Sequence, residues 1–406
     1  MKLKKNIYFI VAEENVDKIY KFNKILLSQL SKKFENIYFL NLFNLKLFTK
    51  KKVFSDYQID DKTFIVNFND SKKFKEFILD KKFLAIVFLG KDPSYFLIHY
   101  LINRKNIKLI MIMNLSQIGN KMTIDFNFKY LFSAYKHYFT KGFYYLFRFL
   151  TIINVFPKIY LLFESNPEIK SYIENSRSRK FEKIFPFNIS YYKKVEVVNS
   201  RYFDTINLIR NESKEENKNI IYVDTHFDHL DKIYREGKFN KNKQNFFYDN
   251  LKVFLLKISE LYEMPVKICK HPKNKSNHSF YKTFEISKNS TDKEIYGSKI
   301  VIFTLSSAIL NAVLLKKSII NLRSSYLGGY LSNIGRQYVQ QLGLVSFDID
   351  SVNRLDKTQL DNKLKESIKN YSTYINKKLL ADGNISPNQK IASILEREFY
   401  NLDFNL

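Results

Sequence analysis

Residues 300–315 read IVIFTLSSAILNAVLL. The apolar, β-branched run Ile300–Thr304 predicts a buried strand, and Ala308–Leu315 continues it as a helix. A strand that passes into a helix through Ser306-Ser307 is half of a βα unit. Hydroxyls beside the free backbone amides of such a turn make a ready site for an anion, so Thr304, Ser306 and Ser307 are candidate phosphate ligands. Plain capping of the helix by either serine explains the same residues, and the two roles are compatible.

Two strand ends upstream complete the pattern. In residues 219–232, NIIYVDTHFDHLDK, the strand Ile220–Val223 ends at Asp224. In residues 266–273, VKICKHPK, the strand Val266–Lys270 ends at His271-Pro272, where proline prevents the strand from continuing. Between them Phe247, Leu251, Phe254, Leu255, Ile258 and Leu261 describe one face of a long helix. A further strand starts at Ser318–Asn321, and helices follow over Lys357–Leu380 and Gln389–Phe399. Buried strands alternating with amphipathic helices predict a parallel sheet covered on both faces, a Rossmann-like α/β domain.

The N-terminal half repeats the alternation without sharing the sequence. Strands are expected at Ile7–Ala12, Ile37–Leu42, Phe64–Phe68, Leu84–Leu89, Leu109–Met113 and Ile159–Phe163, with a helical spacing from Val16 to Leu30 between the first two. The charged run Asn211–Asn219 is the best linker. We therefore expect an N-terminal Rossmann-like domain over 1–205 and a second over 206–406. The last helix is expected to pack back on the first domain. Ligands of open α/β sheets bind outside the carboxyl ends of strands, which makes Glu13 and Asn114 candidate acceptor-binding residues.

Composition narrows the partners. The 406 residues carry 67 Lys and Arg against 40 Asp and Glu, a formal net charge of +27, which favours an anionic partner. The lysines are spread along the chain, and no zinc-finger, RNP or helix-turn-helix pattern accompanies them, so nucleic acid is not the expected partner. Cys269, the one cysteine, lies in an apolar run and reads as core. The short apolar run after the N-terminal lysines is a strand, because Glu13-Glu14 follow it directly, and no stretch is long enough to span a membrane. Residues 126–156 interleave aromatics with Lys129, Lys136, His137, Lys141 and Arg148. They read either as buried helices or as an interfacial segment on an anionic membrane.

The chemistry of the strand ends suggests roles. Asp224 can accept a proton from an acceptor hydroxyl. His271, with Lys270 beside it, can hydrogen-bond a phosphate or assist its departure; alone, His271-Pro272 also reads as an ordinary turn. His226, Asp228, His229 and Asp231 match no standard metal spacing, so no metal is expected. Glu294 can reach a ribose or base, or simply solvate a helix, and Arg323 can meet a phosphate or a sugar carboxylate. No Gly-x-Gly-x-x-Gly follows a strand, which disfavours a dinucleotide enzyme.

Taken in order, the acidic strand end, His-Pro and Ser-Ser resemble the motif set of bacterial sialyltransferases and polysialyltransferases over roughly residues 219–325. The chain is also similar to the wider group of surface-polysaccharide transferases, including Kdo transferases and CDP-glycerol glycerophosphotransferases. The resemblance implies the GT-B architecture, two Rossmann-like domains facing a cleft, with the nucleotide-sugar donor on the C-terminal domain and a glycan acceptor on the N-terminal one. It implies a metal-independent, inverting transfer of an acidic sugar from a CMP-sugar, without a cofactor, to a surface glycan. The protein would be cytoplasmic, at the inner face of the membrane. By the same resemblance Asp224 is the base, while His271, Ser306 and Ser307 hold the departing phosphate. One departure stands out: Asp224 is followed by Thr225-His226, where the sialyltransferase motif has a second acidic residue and glycine. A CDP-polyol phosphotransferase and a non-catalytic basic binding protein are the other expectations.

Overall fold

The computed structural model describes residues 5–79, 81–89, 93–103, 107–113, 149–151, 153–165, 192–212, 218–225, 241–272, 278–351, 355–380 and 382–403, with Leu146, Pro167, Lys170 and Asn274. The chain divides into two compact units. The first takes the N-terminal portion through Ser200 together with Ala381–Leu406, and the second takes Arg201–Leu380.

In the first unit β1 (Asn6–Val11), β2 (Asn36–Asn41), β3 (Tyr57–Asp60), β4 (Thr63–Asn67), β5 (Phe83–Phe88), β6 (Ile107–Met113), β7 (Ile159–Glu164) and β8 (Tyr192–Val197) form one sheet. Its order is β3-β4-β2-β1-β5-β6-β7-β8, parallel except for the β3–β4 hairpin. Phe9 and Val11 enter one buried cluster while Tyr8 and Ile10 enter the other, so both faces of β1 are core. That is why the strand reads as a continuous apolar run.

In the second unit β9 (Asn219–Val223), β10 (Val266–Cys269), β11 (Glu285–Ile286), β12 (Ser298–Phe303), β13 (Ser318–Arg323) and β14 (Val345–Asp348) form an all-parallel sheet of order β11-β10-β9-β12-β13-β14. Counted from β9 this is 3-2-1-4-5-6, the doubly wound Rossmann order. Ile220 and Tyr222 face one core cluster, Val223 and Ile221 the other. The central helices are α1 (Val16–Phe22) and α2 (Lys24–Leu30) in the first unit, and α3 (Tyr202–Glu212), α4 (Lys241–Tyr262), α5 (Thr291–Gly297), α6 (Ile309–Leu314) and α7 (Lys357–Tyr374) in the second. The last helix, α8 (Pro387–Asp403), belongs to the first unit, where Ile391, Leu395 and Phe399 share a core with Leu26, Leu27 and Leu30.

Three expectations change. The units part between Ser200 and Arg201, ahead of the expected linker, because Ile206 and Ile209 of α3 are buried one turn apart and Tyr202 packs on the second core. The run expected as linker thus begins inside α3. The helix expected to reach Leu380 instead ends at Tyr374 and widens into a π turn over Ile375–Leu379. Strands β3, β8, β11 and β14 were not expected, for a common reason: each is the edge of its sheet. An edge strand carries little of the apolar pattern that marks an interior one; β8 reads YKKVEV, and β11 has two residues.

Candidate nucleotide site at the sheet switch point

Successive strands leave β9 in opposite directions, β10 to one side and β12 to the other. A crevice at the carboxyl ends of the strands is expected at this reversal, between β9 and β12. Asp224 and Thr225 follow β9, and Thr304, Leu305 and Ser306 follow β12. One hydroxyl ties the two ends together: Thr225 donates from Oγ1 to the Leu305 carbonyl at 2.7 Å and accepts the Leu305 N–H at 3.2 Å. Thr225 thereby substitutes for a strand pairing that has just ended. Behind it Tyr222 and Thr304 share a hydroxyl hydrogen bond of 3.1 Å, and the fully buried Asn321 donates to the Thr304 carbonyl at 3.1 Å.

The β10 end is fixed by Asp224. Its backbone N–H donates to the Cys269 carbonyl at 3.1 Å, and its side chain turns back beneath the next loop. Oδ2 accepts the His271 backbone N–H at 3.2 Å and the Asn274 amide at 2.8 Å, while Tyr281 donates to both oxygens at 3.2 and 3.3 Å. Asn274 N–H closes the loop on the His271 carbonyl at 2.8 Å. Tyr248 extends the network through a 2.9 Å bond to the Tyr281 hydroxyl. Burial pushes the Asp224 carboxyl up despite these donors, and burial with the neighbouring carboxylate pushes the Tyr281 phenol well up. Asp224 is 2% exposed. In this geometry Asp224 anchors the loop that starts at His271.

The other expected residues fall as follows. His271 is half-buried at the loop's start, Pro272 is exposed, and Lys270 Nζ lies 4.5 Å from the centre of the Tyr281 ring. Ser306 Oγ accepts the Ala308 N–H at 3.3 Å, which leaves its own proton to donate. Ser307 is exposed and hydrogen-bonded to Tyr202. Glu294, 6% exposed, accepts on Oε1 from Ser287 and from Asn289 at 2.8 Å, and so braces the loop after β11. Arg323 is exposed at the end of β13. Glu13 is exposed just beyond β1, its N–H bonded to Asn41 Oδ1 at 3.3 Å; Asn114 lies outside the described residues, as do His226, Asp228, His229 and Asp231. Among the described residues no cluster of His, Cys, Asp and Glu is arranged to hold a metal. Cys269 is buried, and burial with nearby carboxylates pushes its thiol up to about 12, which leaves it protonated and unreactive at neutral pH.

Sequence reasoning missed Asn274, Tyr281 and Tyr248. The spacing of Asn274 from His271-Pro272 was visible, but its partner Asp224 is remote in sequence.

These two Rossmann-like domains define a GT-B fold class. Compared by sequence, the chain matches no protein-family model and no curated protein. Its fold resembles that of the wall teichoic acid polymerase TagF, at 13% identity over 98% of this chain and 90% of the other, with a TM-score of 0.50. A variant form of TagF gives 12%, 98%, 89% and 0.52. A protein from Listeria monocytogenes described as a UDP-N-acetylglucosamine 2-epimerase gives 11% identity, 98% of each chain and a TM-score of 0.51. At these identities the likeness is one of fold.

Proposed function

We propose that the chain is a transferase that takes a group from a pyrimidine-nucleotide donor held in its second domain. The observation that carries this reading is the sheet order: β10, whose His271 loop Asp224 clamps from beneath, and β12, whose turn carries Ser306 and Ser307, flank β9 on its two sides, while Thr304 is buried behind them against Tyr222. In this reading His271 donates to the departing phosphate and Ser306 and Ser307 hold its oxygens. Lys270 and Arg323 add positive potential without a metal. The acceptor side belongs to the first domain, with Glu13 and Asn114 as its polar strand ends. The group we assign is an acidic sugar carried by CMP, and the acceptor is a surface glycan.

The fold likeness to a cell-wall polymer synthase and to a nucleotide-sugar enzyme is consistent with this reading. The test is a thermal-shift screen of CMP, UDP, GDP, ADP and NAD, repeated with His271→Ala. Stabilisation by cytidine nucleotides that His271→Ala abolishes is the expected result; no stabilisation by any nucleotide sinks the proposal. Turnover with CMP-sugars compared with CDP-glycerol then distinguishes a sugar donor from a polyol phosphate donor.

A further inference from the structure

We infer that the segment Leu47–Val53 of the first domain docks on an anionic lipid surface. The sequence there is LFTKKKV, and its side chains are presented outward to an unusual degree. Phe48 is 93% exposed and Val53 98% exposed, while Lys50, Lys51 and Lys52 between them are also exposed. Phe48 holds a left-handed backbone, φ +61°, which is costly for an aromatic residue and gains no packing in return. Strain that displays an apolar ring to water does not serve the fold.

The loop is built to hold that display. Asn44, buried at 7% exposure, donates from Nδ2 to the Lys52 carbonyl at 2.6 Å and accepts the Lys52 N–H at 2.9 Å, closing the loop's base as a strand pair would. A second anchor is the Leu47 N–H, which donates to the Ser94 carbonyl at 2.8 Å. Lys46 lies 4.6 Å from the centre of the Tyr95 ring, and Lys52 pairs with Glu14. Only the tip is left to solvent.

Composition selects the partner. An aromatic and a β-branched side chain beside lysines match a headgroup zone, where the rings enter the acyl boundary and the ammonium groups meet phosphates. The tip is too small for a stable protein interface, which needs about 800 Å² on each side. A second feature lies nearby. Phe149 and Ile153, both about half exposed, stand one turn apart, and Phe156 just beyond them packs on Phe96, next to the Ser94–Tyr95 pair that holds the loop. The placement follows β2 at the carboxyl edge of the first sheet, the edge that also carries Glu13.

The experiment is co-sedimentation of the full chain with vesicles of phosphatidylcholine, with and without phosphatidylglycerol. We expect binding only to the anionic vesicles, weakened by salt. Lys50→Ala with Lys51→Ala should lower the partition coefficient on the order of thirtyfold, and Phe48→Gly on the order of tenfold. Phe48→Gly should leave the melting temperature unchanged or higher, because glycine accepts the left-handed backbone; a structural role would lower it. The inference is overturned if the wild type ignores anionic vesicles, or if the loop variants partition as the wild type does. It is equally overturned if the variants lose binding to a single-stranded oligonucleotide while vesicle binding is unaffected.

Discussion

Replacing Asp224 by alanine separates an anchor from a base. The substitution removes the acceptor for the His271 N–H, the Asn274 amide and the Tyr281 hydroxyl, all in a site where Asp224 is 2% exposed. Tyr281 keeps its bond to Tyr248 and Asn274 its 2.6 Å bond to the Tyr281 hydroxyl, so the donors orphaned are the backbone N–H groups of His271 and Thr225. Each orphaned buried donor costs about 1–3 kcal/mol, partly offset by relieving a buried charge; the net loss should be about 2–4 kcal/mol. Because the loop carrying His271 loses its tether, nucleotide affinity should fall on the order of tenfold or more. The assay pairs the nucleotide-induced thermal shift with single-turnover transfer, for Asp224→Ala and for the near-isosteric Asp224→Asn. The reasoning is refuted if Asp224→Asn binds nucleotide as the wild type does while turnover falls on the order of a thousandfold, since that split is the mark of a lost base. There is also a pH signature. The folded carboxyl titrates above its ordinary value because of burial. Its contribution is therefore complete below the ordinary carboxylate range and is lost as pH rises through the folded value. The stability gap between the wild type and Asp224→Asn should narrow as pH rises from acid toward neutrality.

Other outcomes follow from single contacts. Asn44→Ala removes both bonds to the Lys52 backbone and should lower stability by about 1–3 kcal/mol and open residues 48–52 to limited proteolysis. Glu398, 3% exposed, accepts from Tyr160 and from Lys194 at 2.9 Å. Burial alone would raise its carboxyl, but Tyr160, Lys194 and Lys108 hold it below the ordinary glutamate range. Its stabilising contribution is present above that range and is lost as pH falls through the lowered value, so Glu398→Gln should flatten the acid limb of the unfolding curve. Native Cys269 should resist alkylation by iodoacetamide at pH 8 and react on unfolding, as burial and its raised thiol require.

The interior of each sheet was legible and the margins were not. Every strand flanked by two neighbours carries an apolar run, as in Ile220–Val223, because helices cover both of its faces. The four edge strands lack that run and stayed hidden. In the site, the strand ends at Asp224, His271 and Ser306 were visible as breaks in apolar runs. The contacts of Asp224 were not, since a carboxylate's sequence context says nothing of which way it turns. Only the fold brings Asn274 and Tyr281 to it across the gap between β9 and β10. The Glu294 contacts were hidden for a related reason: their partners Ser287 and Asn289 lie on the loop that precedes α5.

Hydrogen exchange of the full chain with and without saturating CMP tests the nucleotide assignment most directly. The account predicts added protection confined to the backbone amides of 224–225, 270–274 and 305–309, with the effect lost in His271→Ala. Protection centred on the first domain, or unchanged exchange at these three strand ends, would contradict it.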